Sequence, residues 1–259
     1  MRLDQALVQL GLAPSRTKAQ DLVTSGAVEI FDGRSWRVAT VSSENVDRWN
    51  LLSEPGRVRL RQQDVLKFVS RGGLKLETAL QHVGWDVRDQ ICLDCGQSTG
   101  GFTDCLLQAG ARQVVGFDVG HDQLAAILRN DPRVVFYEGL HFKDSLLHVG
   151  LQADRPANGF NLIVADLSFV SLEKVLPVFS SFGPRLLTLV KPQFEVGSEN
   201  LNKKGIVKSP DLYASVEIRI RNAALLSGWR VLDYFPSSVE GRDGNREFFL
   251  FAEHTKNEA

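Results

Sequence analysis

Apolar residues recur at helical spacing at the start of the chain, where Leu3, Ala6, Leu7 and Leu10 share a face and Gly11 can close the helix. Ser15 is suited to cap a second helix that buries Ala19, Leu22 and Val23 and ends at Gly26. Arg16 and Lys18 then fall in its first turn, which the pattern predicts to be exposed. Cations there oppose the helix dipole, and an anionic partner would offset that cost. Residues 27–30 read as a short strand followed by an Asp32-Gly33 turn. Residues 35–56 read as irregular, with SSEN and SEPG as loop signals. In RVRLR, residues 57–61, the alternation puts Val58 and Leu60 on one side and Arg57, Arg59 and Arg61 on the other.

From residue 91 the pattern changes to alternating strands and helices, the signature of an α/β fold with a largely parallel sheet. Strands are predicted over 91–94, 113–117, 134–137, 161–165 and 185–190, and helices over 102–109, 122–128, 172–179 and 212–226. Residues 141–159 read as a loose insertion. The last two strands, 229–235 and 247–251, are joined by a polar loop. The pattern divides the chain into a small α+β module, residues 1–62, and a Rossmann-like sheet domain, residues 63–259.

Composition narrows the class. A 43% apolar fraction supports a full core. No apolar run reaches the roughly 20 residues that span a bilayer. The first segment lacks the continuous apolar stretch of a signal peptide, so a cytoplasmic location is expected. Cys92 and Cys95 form a C-x-x-C, but no second pair follows and His82 and His121 lack zinc spacing, so no metal is expected. Charge is uneven. Residues 1–75 hold 12 Lys+Arg and 8 Asp+Glu, a balance of +4, and the remainder holds 18 and 23, a balance of −5. A basic module ahead of an acidic body suggests a polyanion partner. The arginines of RVRLR have no acid between them, which favours RNA contact over a charge-guarded edge strand. With Arg2, Arg16, Lys18 and Arg71 they are the candidate RNA contacts.

The segment ICLDCGQSTGG carries the clearest chemistry. Its spacing, D-x-G-x-x-x-G-G, gives a strand end and a glycine turn before a helix, so that backbone passes close to a ligand. It is not the G-x-G-x-x-G of dinucleotide enzymes, which seats a pyrophosphate on the helix N-terminus. S-adenosylmethionine has no pyrophosphate, and Asp118, ending the next strand, can accept both ribose hydroxyls. The candidate cofactor contacts are Asp94, Gly96, Ser98, Thr99, Gly100, Gly101, Phe102, Asp118, Val119 and Asp166.

Two further strand ends are charged. NLIVAD ends in Asp166 and RLLTLV runs into Lys191. Ligands bind at the carboxyl ends of strands in open α/β sheets, so both are expected in the same crevice. The bland alternatives are a helix cap at Asp166 and a solvated strand end at Lys191.

The segments VSRGGLKL, LDCGQSTGGFTDCLLQAGA, FDVGHDQL, VADLSFVSL, LVKPQFEVG and GNREFFLF resemble the TlyA family, whose members are ribosomal RNA 2′-O-methyltransferases once labelled hemolysins. The opening RLDQALVQLGLAPSRTKAQDLVTSGAVEI resembles the S4 RNA-binding domain that begins them. The resemblance to FtsJ-like relatives implies a catalytic Lys-Asp-Lys-Glu set at Lys75, Asp166, Lys191 and Glu247. It also implies S-adenosylmethionine as cofactor and ribosomal RNA or a ribosomal subunit as partner. Within the family, the short lead into the S4 helix resembles members acting on cytidine of large-subunit 23S RNA alone. A ribose hydroxyl is a poor nucleophile at neutral pH, and a lysine amine can steer or accept its proton. Two other functions compete: a non-catalytic RNA-binding assembly factor, and a membrane-active hemolysin. The second needs a cationic amphipathic helix with a wide apolar face, which the pattern lacks.

Overall fold

A computed structural model describes residues 1–24, 26–60, 67–241 and 244–254 of the chain. It divides into two compact units, Met1–Leu74 and Lys75–Ala259.

In the first unit, helices α1 (Leu3–Gln9) and α2 (Arg16–Thr24) pack on a three-stranded antiparallel sheet of order β2-β1-β3. Its strands are β1 (Val28–Phe31), β2 (Trp36–Val38) and β3 (Val58–Leu60). Leu3, Ala6, Leu7, Ala19 and Leu22 are fully buried, as the helical spacing predicts. Ser15 Oγ accepts the Lys18 amide at 3.2 Å, which is the expected cap. Asp32 Oδ1 accepts the amides of Arg34 and Ser35, and Gly33 takes φ +98°, closing the predicted turn.

Three expectations in this unit need correction. Residues 35–56 are not wholly irregular: β2 pairs with β1 in the register Phe31↔Trp36, and Trp49 and Leu51 are buried in the core. The three-residue length of β2 leaves too few positions for a visible alternation. Arg57 closes a 3₁₀ turn, Pro55–Arg57, and β3 begins one residue later. Arg61 lies outside the described residues. Lys18 is buried at 5% exposure, its ammonium donating to the Phe68 carbonyl at 2.5 Å, so it is not the exposed cation of a first turn.

The second unit is a seven-stranded sheet of order β6-β5-β4-β7-β8-β10-β9. Strands β4 (Ile91–Cys95), β5 (Gln113–Asp118), β6 (Val134–Glu138), β7 (Leu162–Ala165) and β8 (Arg185–Val190) run parallel. The last two, β9 (Trp229–Pro236) and β10 (Phe248–His254), form a hairpin, and β10 adds antiparallel to β8. The fold is thus a Rossmann-like mixed sheet with helices, as the strand–helix alternation predicts. Parallel strands covered on both faces carry continuous apolar runs, and all four residues of β7 are fully buried. Phe160, Phe179, Phe182 and Trp229 are also fully buried, each contributing roughly 1.5–3 kcal/mol of apolar burial.

The helices are α3 (Gly72–Val83), α4 (Gly101–Gln108), α5 (Ala126–Arg129), α6 (Val149–Asp154), α7 (Leu176–Phe179) and α8 (Asp211–Leu226). Helix α3 was not anticipated. The segment 141–159 holds α6 and the fully buried Ser145 and Leu151, so it is not a loose insertion. Helix α5 is shorter than the predicted 122–128 because Asp122 takes φ +55°, which a helix cannot continue through. The predicted helix 172–179 splits into a 3₁₀ turn, Leu172–Lys174, and α7, with Pro177 in the first turn of α7, where it donates no amide hydrogen. Among the described residues, no helix is long and apolar enough to cross a membrane.

Candidate functional site

The turn after β4 is built from glycines that other residues could not replace. Gly96 has φ +83°, and a Cβ there would lie 2.8 Å from the Asp166 carbonyl oxygen. Gly100 has φ +91°, and its Cβ would lie 2.3 Å from Leu128 Cδ1. The turn is therefore pressed against the end of β7 at Gly96 and against Leu128 of α5 at Gly100. Asp118, at the end of β5, fastens it: Oδ2 accepts the Ser98 amide at 2.8 Å and Oδ1 accepts the Gly120 amide at 2.7 Å.

Above this turn opens a cavity of about 480 Å³. Gly96, Ser98, Asp118, Val119 and Asp166 line it, all of them candidate cofactor contacts. Leu140 lines it too, with His141 and Phe142 from the segment that reads as an insertion, and Leu167–Val170 continue the wall beyond Asp166. Those residues follow the ends of β6 and β7. The strand-end rule that singles out Asp118 and Asp166 also points to them.

Asp94, Thr99, Gly100, Gly101 and Phe102 do not line the cavity; they support it from behind. Asp94 is fully buried, and Thr103 Oγ1 donates to its Oδ2 at 2.6 Å. Gln97 Nε2 donates in turn to Thr103 Oγ1 at 2.8 Å. Asp94 Oδ1 is buried without a hydrogen-bond partner. Burial pushes the Asp94 carboxyl up to about 7; the Thr103 hydrogen bond opposes this, and the charges of Asp166 and Asp118 add to it. Phe102 is buried and stacks on Phe249, with ring centroids 6.3 Å apart. The thiols of Cys92 and Cys95 are fully buried; burial pushes Cys92 up to about 12 and Cys95 well above its usual range. Both behave as small core side chains.

Two lysine–carboxylate pairs stand at neighbouring strand ends. Lys191 Nζ lies 2.6 Å from Asp166 Oδ1 and donates a hydrogen bond to Ser168 Oγ at 2.8 Å. The approach to Asp166 Oδ1 is off-axis, so that contact is an ion pair without a directed hydrogen bond. Lys75, in the first turns of α3, donates to Glu247 Oε2 at 2.5 Å. That pair is the more enclosed, with side chains 10% and 3% exposed. Sheet register brings the pairs to the same edge. Phe248 of β10 faces Val190 of β8, so Glu247 and Lys191 extend from the same end of that antiparallel pair. Ala165 of β7 faces Thr188 of β8, which sets Asp166 alongside.

Glu195 ties the loops behind these pairs and was not anticipated. Its side chain, 1% exposed, accepts Ser171 Oγ at 2.7 Å and the Leu172 amide at 2.9 Å. It thus joins the segment after Lys191 to the segment after Asp166. Arg219 of α8 donates to the Glu195 carbonyl and pairs with Glu173 at 2.6 Å. Burial pushes the Glu195 carboxyl up, against the hydrogen bonds it accepts from Leu172 and Ser171.

In the first unit the candidate RNA contacts are mostly engaged. Arg2 and Arg16 both reach the buried Asp4, at 3.0 and 3.2 Å. Arg57 pairs with Glu54 at 2.6 Å. Arg59 pairs with Glu29 at 2.8 Å and lies 4.0 Å over the Trp36 ring. No acid lies between the RVRLR arginines in sequence, yet Arg57 and Arg59 do have acidic partners, from the preceding turn and from β1, which corrects the ground on which the linear pattern favours RNA contact there. Arg71 is half-buried in the turn before α3.

Comparison with known proteins gives concordant matches. The FtsJ-like methyltransferase family model matches residues 68–254, and the S4 domain model matches residues 1–30. YqxC of Bacillus subtilis is 40% identical over 252 residues, covering 96% of this chain and 84% of that protein. The 16S/23S rRNA (cytidine-2′-O)-methyltransferase TlyA of Mycobacterium tuberculosis is 38% identical over 253 residues, covering 96% and 88%. The solved structure of a Streptococcus thermophilus protein named a hemolysin superposes with a TM-score of 0.72 at 32% identity, covering 99% of this chain and 89% of that one.

Proposed function

Because the chain belongs to the FtsJ-like methyltransferase family, in its TlyA branch, we propose that it methylates the ribose 2′-hydroxyl of a cytidine in ribosomal RNA, with S-adenosylmethionine as donor. The observation that carries this reading is the pairing of Lys191 with Asp166 at the edge of the cavity, where two strand ends meet. An acceptor oxygen needs a group that holds it and steers its proton, and among the described residues neither cysteine nor tyrosine lines the cavity.

The residues present fit the cofactor. The cavity volume lies within the range of small-molecule sites. Gly96 lets the backbone of the turn lie against Asp166 and Leu167, where a Cβ would collide, and so brings the turn to the cavity wall. Each Asp118 oxygen takes one backbone amide, and a carboxylate offers about four acceptor positions, so two remain for vicinal ribose hydroxyls. Exposed Val119 and the buried Leu140 supply apolar walls for a purine. When bound, S-adenosylmethionine supplies an electrophilic methyl group on its sulfonium.

In this reading Lys191 holds the 2′-hydroxyl and steers its proton away from the attacking oxygen. Asp166 and Ser168 fix the direction of the amine. Lys75, held by Glu247, adds positive charge beside the oxygen as it loses its proton. Positioning supplies much of the acceleration in such a site. The S4-like unit is proposed to hold the RNA, with Arg57 and Arg59 exchanging their carboxylate partners for phosphate and the outer faces of Arg2 and Arg16 meeting it while still paired with Asp4. The large-subunit 23S rRNA is the proposed substrate, which places the reaction in the cytoplasm. Incubation with labelled S-adenosylmethionine and each ribosomal subunit, followed by mapping of the modified residue, tests the assignment. A 2′-O-methylcytidine in 23S rRNA is expected; label on a base, or none on either subunit, overturns it.

A further inference from the structure

Beyond residue 75 the chain carries a net charge of −5, which repels a polyphosphate approaching the catalytic edge. One segment runs against that balance: Asn202-Lys203-Lys204-Gly205-Ile206-Val207-Lys208. Lys203 and Lys204 are exposed at its tip and make no ion pair among the described residues. Lys208, by contrast, is tied down, its ammonium donating to the Glu199 carbonyl at 2.8 Å. The acids at the two ends of the loop do not neutralise the tip. Asn200 Nδ2 donates to Glu199 Oε1 and Ser209 Oγ donates to Asp211 Oδ2, both at 3.4 Å.

The tip is held in shape from two sides. Asn202 Oδ1 accepts the amides of Lys204 and Ile206 at 2.8 and 3.0 Å, and Leu201 bridges Val207. Gly205 turns the chain at φ +73°. From outside the loop, the buried Asn245 accepts the Val207 amide at 3.2 Å and donates to the Gly205 carbonyl at 3.0 Å. Asn245 is separated from Glu247 by Arg246 alone. The same short stretch of chain therefore anchors the basic tip and places the carboxylate that holds Lys75. The fixed turn removes the backbone's share of the ordering cost and holds the two cations side by side, which suits a partner with closely spaced negative charge.

We propose that Lys203 and Lys204 form a second RNA-binding element, on the methyltransferase unit itself, that grips backbone phosphates flanking the target nucleotide. This rests on the reading of ribosomal RNA as substrate. Phosphate contacts of this kind set register without reading sequence. The element would fix the target ribose relative to Lys75 and Lys191 independently of the S4-like unit.

The full-length K203A/K204A variant tests this. With rRNA as substrate at about 0.15 M salt, KM for RNA is expected to rise about tenfold and kcat at saturating RNA to stay within twofold. Loss of two phosphate contacts should also lower the slope of log(kcat/KM) against log salt by about 1.5. Unchanged S-adenosylmethionine affinity, by calorimetry, verifies that the variant is folded. Equal KM and equal slope overturn the inference. A raised KM with an unchanged slope also overturns it, because lost phosphate contacts must lower the slope. Direct binding of an rRNA fragment to both proteins, with its salt slope, reads the same contacts without turnover. A failure of the methylation reading therefore stays distinguishable from a failure of this one.

Discussion

The two units use the same residue types for opposite ends. In the S4-like unit, Arg2, Arg16 and Gln20 converge on one fully buried carboxylate, Asp4. In the methyltransferase unit Lys75 and Lys191 each have a single carboxylate, and Asp166 of the second pair lines a cavity. Several donors on one acid saturate its lone pairs and leave it nothing to do but hold the chain together. One lysine on one acid, at the mouth of a cleft, is oriented yet keeps donor positions for a third party. How many partners a charge has thus separates the structural cluster from the candidate chemical one.

The comparison is sharpened first at Lys75. Lys75→Ala leaves Glu247, 3% exposed, without its cation. Loss of one partner of a buried pair costs roughly 3 kcal/mol. Methyl transfer is expected to fall by at least about a hundredfold. Chemical denaturation and labelled methyl transfer check the two losses separately; wild-type turnover in the variant would make the pair purely structural.

Asp4→Asn tests the opposite case. Burial pushes the Asp4 carboxyl up, but the hydrogen bonds from Arg2, Gln20 and Arg16 outweigh this and hold it down at about 2. A lowered folded value means that the native state gains stability above the ordinary carboxylate range and loses it as pH falls through about 2. The substitution should cost roughly 2 kcal/mol at pH 7 and progressively less toward pH 2. Urea titrations at both ends of that range measure it. A penalty independent of pH would show that the ion pairing of Asp4 contributes nothing.

The smallest effect is expected at Glu195, which touches neither cavity nor lysine. Glu195→Ala should lower kcat about tenfold through misplacement of the Lys191–Asp166 pair, with KM for RNA unchanged. Glu195→Gln keeps an acceptor for Ser171 and Leu172 and should recover most of the rate. Equal activity in all three proteins would remove Glu195 from the positioning of the site.

What the linear pattern reveals follows from the range of the interactions involved. Strand β8 is legible from its near-continuous apolar run, Leu186 to Val190 interrupted only by Thr188, because a strand covered on both faces is largely apolar. The glycine turn is legible because positive φ and close backbone approach demand glycine locally. Asp166 and Lys191 are legible because strand ends converge in this fold. By contrast, Lys75 and Glu247 meet across 172 positions, and only the family resemblance marks them. Burial of Asp4 and Lys18 depends on partners from other elements, so spacing alone leaves both on the polar face. The cavity wall at Leu140–Phe142 was hidden because its segment carries turns and the short α6 instead of a long periodic element.

The role of Lys191 is the most direct point of contact between geometry and reaction. Its ammonium is held by Asp166 and Ser168, which line the cavity, and it takes no part in the backbone turn that shapes it. Tritium transfer from labelled S-adenosylmethionine to rRNA by Lys191→Ala, with cofactor affinity measured on the same preparation, isolates that role. The expected result is a loss of turnover of at least about a thousandfold with cofactor affinity within a few-fold of the parent. Full turnover in that variant would contradict the assignment of the strand-end lysine to the acceptor hydroxyl.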